Sequence, residues 1–312
     1  MTTYRHIPVM PREVMEHLNC RPGKIYVDCT LGGSGHAREI CEKIAPGGVL
    51  IGIDQDMDAV KNAATVLKDF KQGVRLFHDN FVNLPEILSG LRISGVDGVL
   101  LDLGISLHHF ESSGRGFSFS RDEPLDMRMD TRDDTTAAHI VNRMGEADLA
   151  AIFKKYGEEP RARSISRKII TARKQKPVTS SKQLAGIVCA AAPGRVSGRR
   201  KIHPATRVFM ALRIAVNSEL ERLEAFMENV PALLNPEARL CALSFHSLED
   251  RIVKQKFKAL EKGCSCPPSL PCVCNKKPVI RVLTRKVQKP TEAEIASNPM
   301  ARSARLRAME KI

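Results

Sequence analysis

The chain has 312 residues, 43% of them apolar and 27% charged, which is a globular composition long enough for one large domain with an elaboration or for two ordinary ones. No apolar run approaches the ~18 residues that a bilayer span needs, and the opening "MTTYRHIPVM" lacks a basic segment followed by an apolar one, so a cytoplasmic protein with no membrane partner is expected. The net charge of +14 is unevenly spread: residues 154–207 carry 15 Lys and Arg against 2 Asp and Glu, beside 11 against 14 in 1–112, 5 against 8 in 113–153 and 18 against 11 in 208–312. Such a segment suits a polyanion, the plainer alternative being a solvated basic face.

In chain order, Ile25 to Cys29 reads as a strand, and "GHAREICEKIA" as a helix with Ala37, Ile40, Cys41 and Ile44 on one face. Val49 to Ile53 is a second strand, and "MDAVKNAATVLKDF" a second helix. A strand at Val74 to Phe77, a helix near Leu84 to Leu91 and a strand at Gly98 to Leu103 follow. Unbroken apolar strands alternating with helices predict a parallel sheet covered on both faces. Residues 112–135, rich in Gly, Ser and charge, have no period. Helices are expected over 136–156, 161–174 and 180–192, and one long helix over Ala205 to Glu228. "ARLCALSF" and "HSLEDRIVKQKF" then resume strand and helix. This reads as an α/β domain, 1–112 with 205–312, interrupted by a helical, basic insertion at 113–204.

The stretch "VDCTLGGSGHAREI" is a strand, a glycine turn and a helix start, which together point backbone N–H groups and a helix dipole at a ligand. It lacks the lysine of a phosphate loop. The third glycine of a dinucleotide fingerprint would fall on Arg38. Asp54, 19 residues after Gly35, sits where an acid accepts both ribose hydroxyls of an adenosine cofactor. Asp28 and Asp102, each ending a strand, would repel a pyrophosphate and suit a ligand with an ammonium and a sulfonium. S-adenosylmethionine therefore fits better than NAD.

The blocks "VDCTLGGSGHA", "GIDQD", "DGVLLDLGIS", "RGFSFSRDEPLDMRMD", "HPATRVFMALRIAVNSELE", "LSFHSLEDRIVK" and "NPMARSARLR" closely resemble, in order and over nearly the whole chain, the bacterial ribosomal small-subunit methyltransferase H (MraW) family. The resemblance implies a class I, Rossmann-like methyltransferase sheet with an inserted all-helical domain. It also implies methyl transfer from S-adenosylmethionine to N4 of a cytidine in the decoding region of 16S rRNA in the small subunit. Cofactor contacts carry over to Ser34, Gly35, His36, Asp54, Phe81, Asp102 and His109. Ser34 stands where many members have glycine, Leu107 where a small hydroxyl residue is usual, and His109 where glutamine is common.

The cytosine amino group is a poor nucleophile, so transfer depends on alignment and on an acceptor for its proton. Asp102 and Ser106 are the candidate acceptors, and Asp102 is equally a candidate cofactor ligand. The base must be unstacked, which favours single-stranded or loop RNA. Phe117 and Phe119, beside Arg115 and Arg121, could grip it or merely anchor their loop. Ser247 and Asp250 fit a helix-capping box, and His246 could face the base or be structural. Arg207, with Arg213 and Asn217 on the same long helix, could project toward RNA. Cys264, Cys266, Cys272 and Cys274, spaced Cys-x-Cys, five residues, Cys-x-Cys, are candidate ligands of a structural zinc. Two rival functions remain: an NAD-dependent oxidoreductase, and an RNA-binding factor on a retired methyltransferase scaffold. The chain is expected to be a monomer or a homodimer.

Overall fold

The computed structural model describes residues 7–191, 203–264, 266, 269 and 273–312. Among these, seven strands form one sheet: β1 Ile25–Asp28, β2 Val49–Asp54, β3 Val74–His78, β4 Val96–Asp102, β5 Leu234–Ser244, β6 Ile280–Val282 and β7 Arg305–Lys311. Their order is β3-β2-β1-β4-β5-β7-β6. The first five pair in parallel, and β7 runs antiparallel between β5 and β6. This is the Rossmann-like sheet expected from the sequence. The parallel expectation holds for β1 to β5, and the two strands not read from the sequence, β6 and β7, add an antiparallel edge.

Successive strand residues face opposite sides, and both sides are packed. Val27, Ile51 and Val99 join Leu223, Phe226 and Val230 in one apolar cluster, while Tyr26, Leu50 and Leu100 join Ala37, Ile40 and Ile44 in another. The helix Gly35–Ile44 buries the face its apolar spacing outlines. Helix Met57–Val66 starts at Asp56, whose carboxylate accepts the Asp58 N–H at 3.1 Å.

Two compact units divide the chain, 105–219 and 3–104 with 220–312. The helical unit extends beyond the 113–204 read from composition because helix Ala205–Asn217 packs on helices Ala137–Arg143, Glu146–Gly157 and Ser181–Ala191. Its core includes Phe153, Ile165, Leu184 and Leu212, together with Phe117 and Met127 from the irregular 112–135 segment.

Two helices expected as single are each broken. The 136–156 helix is interrupted at Met144 and Gly145, where both backbones are extended. The 205–228 helix ends at Ser218, φ 48°, in the left-handed region, before a second helix at Glu219–Leu233. Apolar residues keep near-helical spacing across Ser218, which hides the break from a periodicity reading. Locally the break is held by Asn217, whose side chain donates to Arg213 O and Met127 O at 2.8 and 2.9 Å and accepts the Met129 N–H at 2.7 Å. No helix among the described residues is long and apolar enough to cross a membrane.

Candidate active site

The glycine turn after β1 is tied to the ends of two other strands. The Thr30 N–H donates to Asp28 Oδ1 at 3.1 Å, and the Asp102 N–H donates to Thr30 Oγ1 at 2.7 Å, joining β1 to β4. Gly32, at φ +43°, donates its N–H to Asp54 Oδ2 at 2.9 Å, and the Asp56 N–H donates to Asp54 Oδ1 at 2.8 Å. Asp54 therefore clamps the turn as well as ending β2. A carboxylate has about four lone-pair sites, so one that holds a turn can also serve a ligand.

Ser34 lies at φ 63°, a region that glycine adopts without cost and that a serine enters only with strain. Its hydroxyl is buried and has no hydrogen-bond partner among the described residues. Gly35 is sterically fixed, since a Cβ there would lie 2.9 Å from Cδ of Pro8.

Three carboxylates converge electrostatically at this strand edge. Burial pushes the Asp28 carboxyl well above its usual range; the Thr30 N–H opposes this, and the charges of Asp102 and Asp54 add to it. Burial, then the charge of Glu249, pushes Asp102 up to about 7. Asp102 Oδ2 is 3.8 Å from His36 Nε2, and Oδ1 has no hydrogen-bond partner among the described residues. The raised values mean that the folded chain holds these protons more tightly than the unfolded one. Without a ligand, stability is fully present below the unfolded value near 3.8 and is lost as pH rises through about 7. Burial is the largest cause of both shifts, and a bound cation would favour the ionised form of either acid.

Phe81 is buried in the turn Phe81–Asn83 with its ring edge-on to Phe226, centroids 5.2 Å apart. Its neighbour Asn80 donates from Nδ2 to Gln55 Oε1 at 2.8 Å, and Arg222 donates to the same oxygen at 2.9 Å. Gln55 was absent from the expected set. The only signal for it was adjacency to Asp54 in "GIDQD".

His246, not Ser247, caps the helix Ser247–Lys262 and shares a capping box with Glu249, one position earlier than expected. Glu249 Oε2 accepts the Phe245 and His246 N–H groups at 2.9 and 3.2 Å. Asp250 instead accepts from Arg307 Nε at 2.6 Å and Arg305 Nη1 at 3.0 Å.

The helical unit carries the other expected residues. Ser106 caps the short helix Leu107–Glu111, its Oγ 2.9 Å from Nδ1 of buried His109. The His109 ring meets Phe117 edge-on at 4.9 Å. Arg115 lies 5.7 Å from the Phe117 centroid and donates to Arg128 O and Met129 O, each at 3.0 Å. For Phe117 the geometry thus favours the loop-anchor alternative. Phe119, half-buried, stacks on His203 at 4.4 Å and meets Phe209 edge-on at 5.4 Å. Arg207 is exposed and donates to Glu158 O at 3.1 Å, whereas Arg213 makes a two-pronged pair with Glu219, both bonds 2.8 Å. Helices Ala162–Gln175 and Ser181–Ala191 border an open, mostly apolar groove lined by Ala172, Pro177, Val178 and Ile187, with Lys168, Lys176 and Lys182 also on its walls.

The MraW methylase family matches residues 3–312. A protein of Desulforapulum autotrophicum named Ribosomal RNA small subunit methyltransferase H is 55% identical over 305 residues, covering 97% of this chain and 98% of that one. Proteins of the same name from Desulfosudis oleivorans and Geobacter sulfurreducens are 54% and 49% identical over 311 residues, each covering 99% of this chain and 100% of theirs.

Proposed function

This chain belongs to the MraW methylase family, and on that basis we propose that it transfers methyl from S-adenosylmethionine to N4 of a cytidine in the decoding region of 16S rRNA. The reading is carried by one observation: a turn clamped by Asp54 beside two buried carboxylates, Asp28 and Asp102, whose ionised forms burial disfavours. A ligand with a ribose, an ammonium and a sulfonium answers all three acids, whereas a dinucleotide would bring further negative charge. The cofactor supplies a methyl group activated on its sulfonium.

This chain's residues then divide the remaining work. Asp54 accepts the ribose hydroxyls; Ser34, Gly35, His36 and Phe81 shape the cofactor site. Asp102, with a free Oδ1 and a carboxyl at about 7, balances positive charge and is suited to take the N4 proton. Ser106 is the second acceptor, more constrained by its bond to His109. Phe119, Arg207 and His246 are assigned to the RNA. A ribosomal substrate would place the protein in the cytoplasm.

The binding test is titration with S-adenosylmethionine, S-adenosylhomocysteine and NADH. Tight binding of the first two, with none of NADH, is expected; the reverse preference would revive the oxidoreductase reading. A pH series refines it. Between pH 6 and 8, ionisation of one acid near pH 7 should tighten S-adenosylmethionine about tenfold, and Asp102→Asn should make that dependence shallower. A pH-independent affinity in the unaltered chain would count against Asp102 as the countercharge.

The lysine groove is assigned to RNA phosphates. Charge reversal at Lys168, Lys176 and Lys182 together should weaken binding of 16S rRNA fragments and lower the slope of log affinity against log salt by about 2, since each single-strand phosphate contact contributes roughly 0.7. An unchanged slope would return the groove to an ordinary solvated face.

A further inference from the structure

The loop that follows helix Ser247–Lys262 has a chemistry that methyl transfer does not use. Its two ends meet closely: a Cβ on Gly263, φ +68°, would lie 2.4 Å from the Lys277 carbonyl carbon. At this neck Cys264, Cys266 and Cys274 bring their Sγ atoms within 4.8 Å of one another. The loop's described residues add no apolar core, since Val273 is 83% exposed and residues 275–279 are exposed as well. Backbone donors are aimed at the sulfurs, with the Cys266 N–H on Cys264 Sγ and the Val273 N–H on Cys266 Sγ, each at 3.4 Å.

We propose that Cys264, Cys266 and Cys274 bind a zinc ion that closes this loop between the helix end and β6. Three thiolates about 2.3 Å from one tetrahedral zinc lie roughly 3.8 Å apart, a small contraction from the present spacing. Each thiol releases its proton to solvent as the metal binds, so affinity rises with pH. Cys272, which the sequence spacing offers as a fourth ligand, lies outside the described residues, and the assignment stands on the other three. Its described residues contribute no apolar core, so the metal is what fixes their shape. The site is structural, remote in chemistry from the carboxylates that serve the cofactor.

The test uses the full chain, isolated without a metal-binding tag under reducing conditions, incubated with zinc and desalted. About one zinc per chain is expected by elemental analysis. After chelator stripping, cobalt should give thiolate-to-metal charge-transfer absorption. The Cys264→Ser, Cys274→Ser double variant should lose at least 90% of the metal. S-adenosylmethionine affinity should stay within twofold in stripped protein, so that failure of the metal site and failure of the methyltransferase reading are separable. Zinc at background in the unaltered chain, full metal retention in the double variant, or thiol trapping that finds these cysteines paired as disulfides would each overturn the proposal.

Discussion

Asp54→Ala is expected to abolish measurable methyl transfer while leaving RNA binding within twofold of the unaltered chain. The side chain does two things at once. It accepts the Gly32 and Asp56 N–H groups, fixing the turn, and its remaining lone pairs are those assigned to the ribose. Hydrogen bonds to a charged group contribute about 1.5–3 kcal/mol each, so losing two from the ribose alone weakens the cofactor roughly 100-fold or more. Asp54→Asn separates the roles. It can still accept from one backbone donor while losing the charge, so the chain should stay folded with affinity between the two extremes. Calorimetric titration with S-adenosylmethionine and filter binding of RNA measure both. Transfer by Asp54→Ala above about a tenth of the original rate would remove Asp54 from the cofactor site. Loss of RNA binding in parallel with catalysis would point to general misfolding.

The largest stability effect is expected at Asp250→Ala. This carboxylate ties the helix Ser247–Lys262 to β7 through Arg307 and Arg305. The side chains of Asp250 and Arg307 are only 11% and 10% exposed. Removing one partner of a buried pair leaves an uncompensated charge and costs about 3–5 kcal/mol, which for a chain of this size lowers the melting temperature by roughly 10 °C. Replacing both ends, Asp250→Leu with Arg307→Met, should recover much of the loss, because the penalty lies in the orphaned guanidinium. The pH dependence has a definite sign. Burial opposes it, but the hydrogen bonds and charges of Arg307 and Arg305 hold the Asp250 carboxyl below its usual range. Its contribution is therefore fully present above the unfolded value of about 3.8 and is lost as pH falls through the lower folded value. Asp250→Ala should flatten the acid limb of the stability curve below pH 4. A variant with unchanged melting temperature would show the pair to be dispensable.

The parallel part of the sheet was legible because β1, β2 and the second half of β4 are apolar runs between amphipathic helices, and burial at Ala37, Ile40 and Ile44 follows from spacing alone. The breaks at Ser218 and Met144 were not, because apolar periodicity survives a single left-handed or extended residue. β7 was missed because "RLRAMEK" is interrupted by charge and has no unbroken apolar run to mark it. At the site, Asp28, Asp54 and Asp102 could be placed from their positions at strand ends. Their consequences depend on burial, which a sequence does not display: Asp102 rises to about 7 only because it is enclosed beside Glu249. The capping box lies at His246 and not at Ser247 because an imidazole nitrogen takes the place of the usual hydroxyl, and only the backbone shows which residue leaves the helix. Gln55, joined to Asn80 and Arg222 across long sequence separations, had no local signature.

The most direct test of the central claim is nucleoside analysis after transfer of tritiated methyl from S-adenosylmethionine. The substrates are small ribosomal subunits and 16S rRNA from a strain lacking this activity. Label recovered as N4-methylated cytidine from the decoding region is the expected result, and its absence in Asp54→Ala completes it. Label on another nucleoside, on another region of the rRNA, or on neither substrate would contradict it.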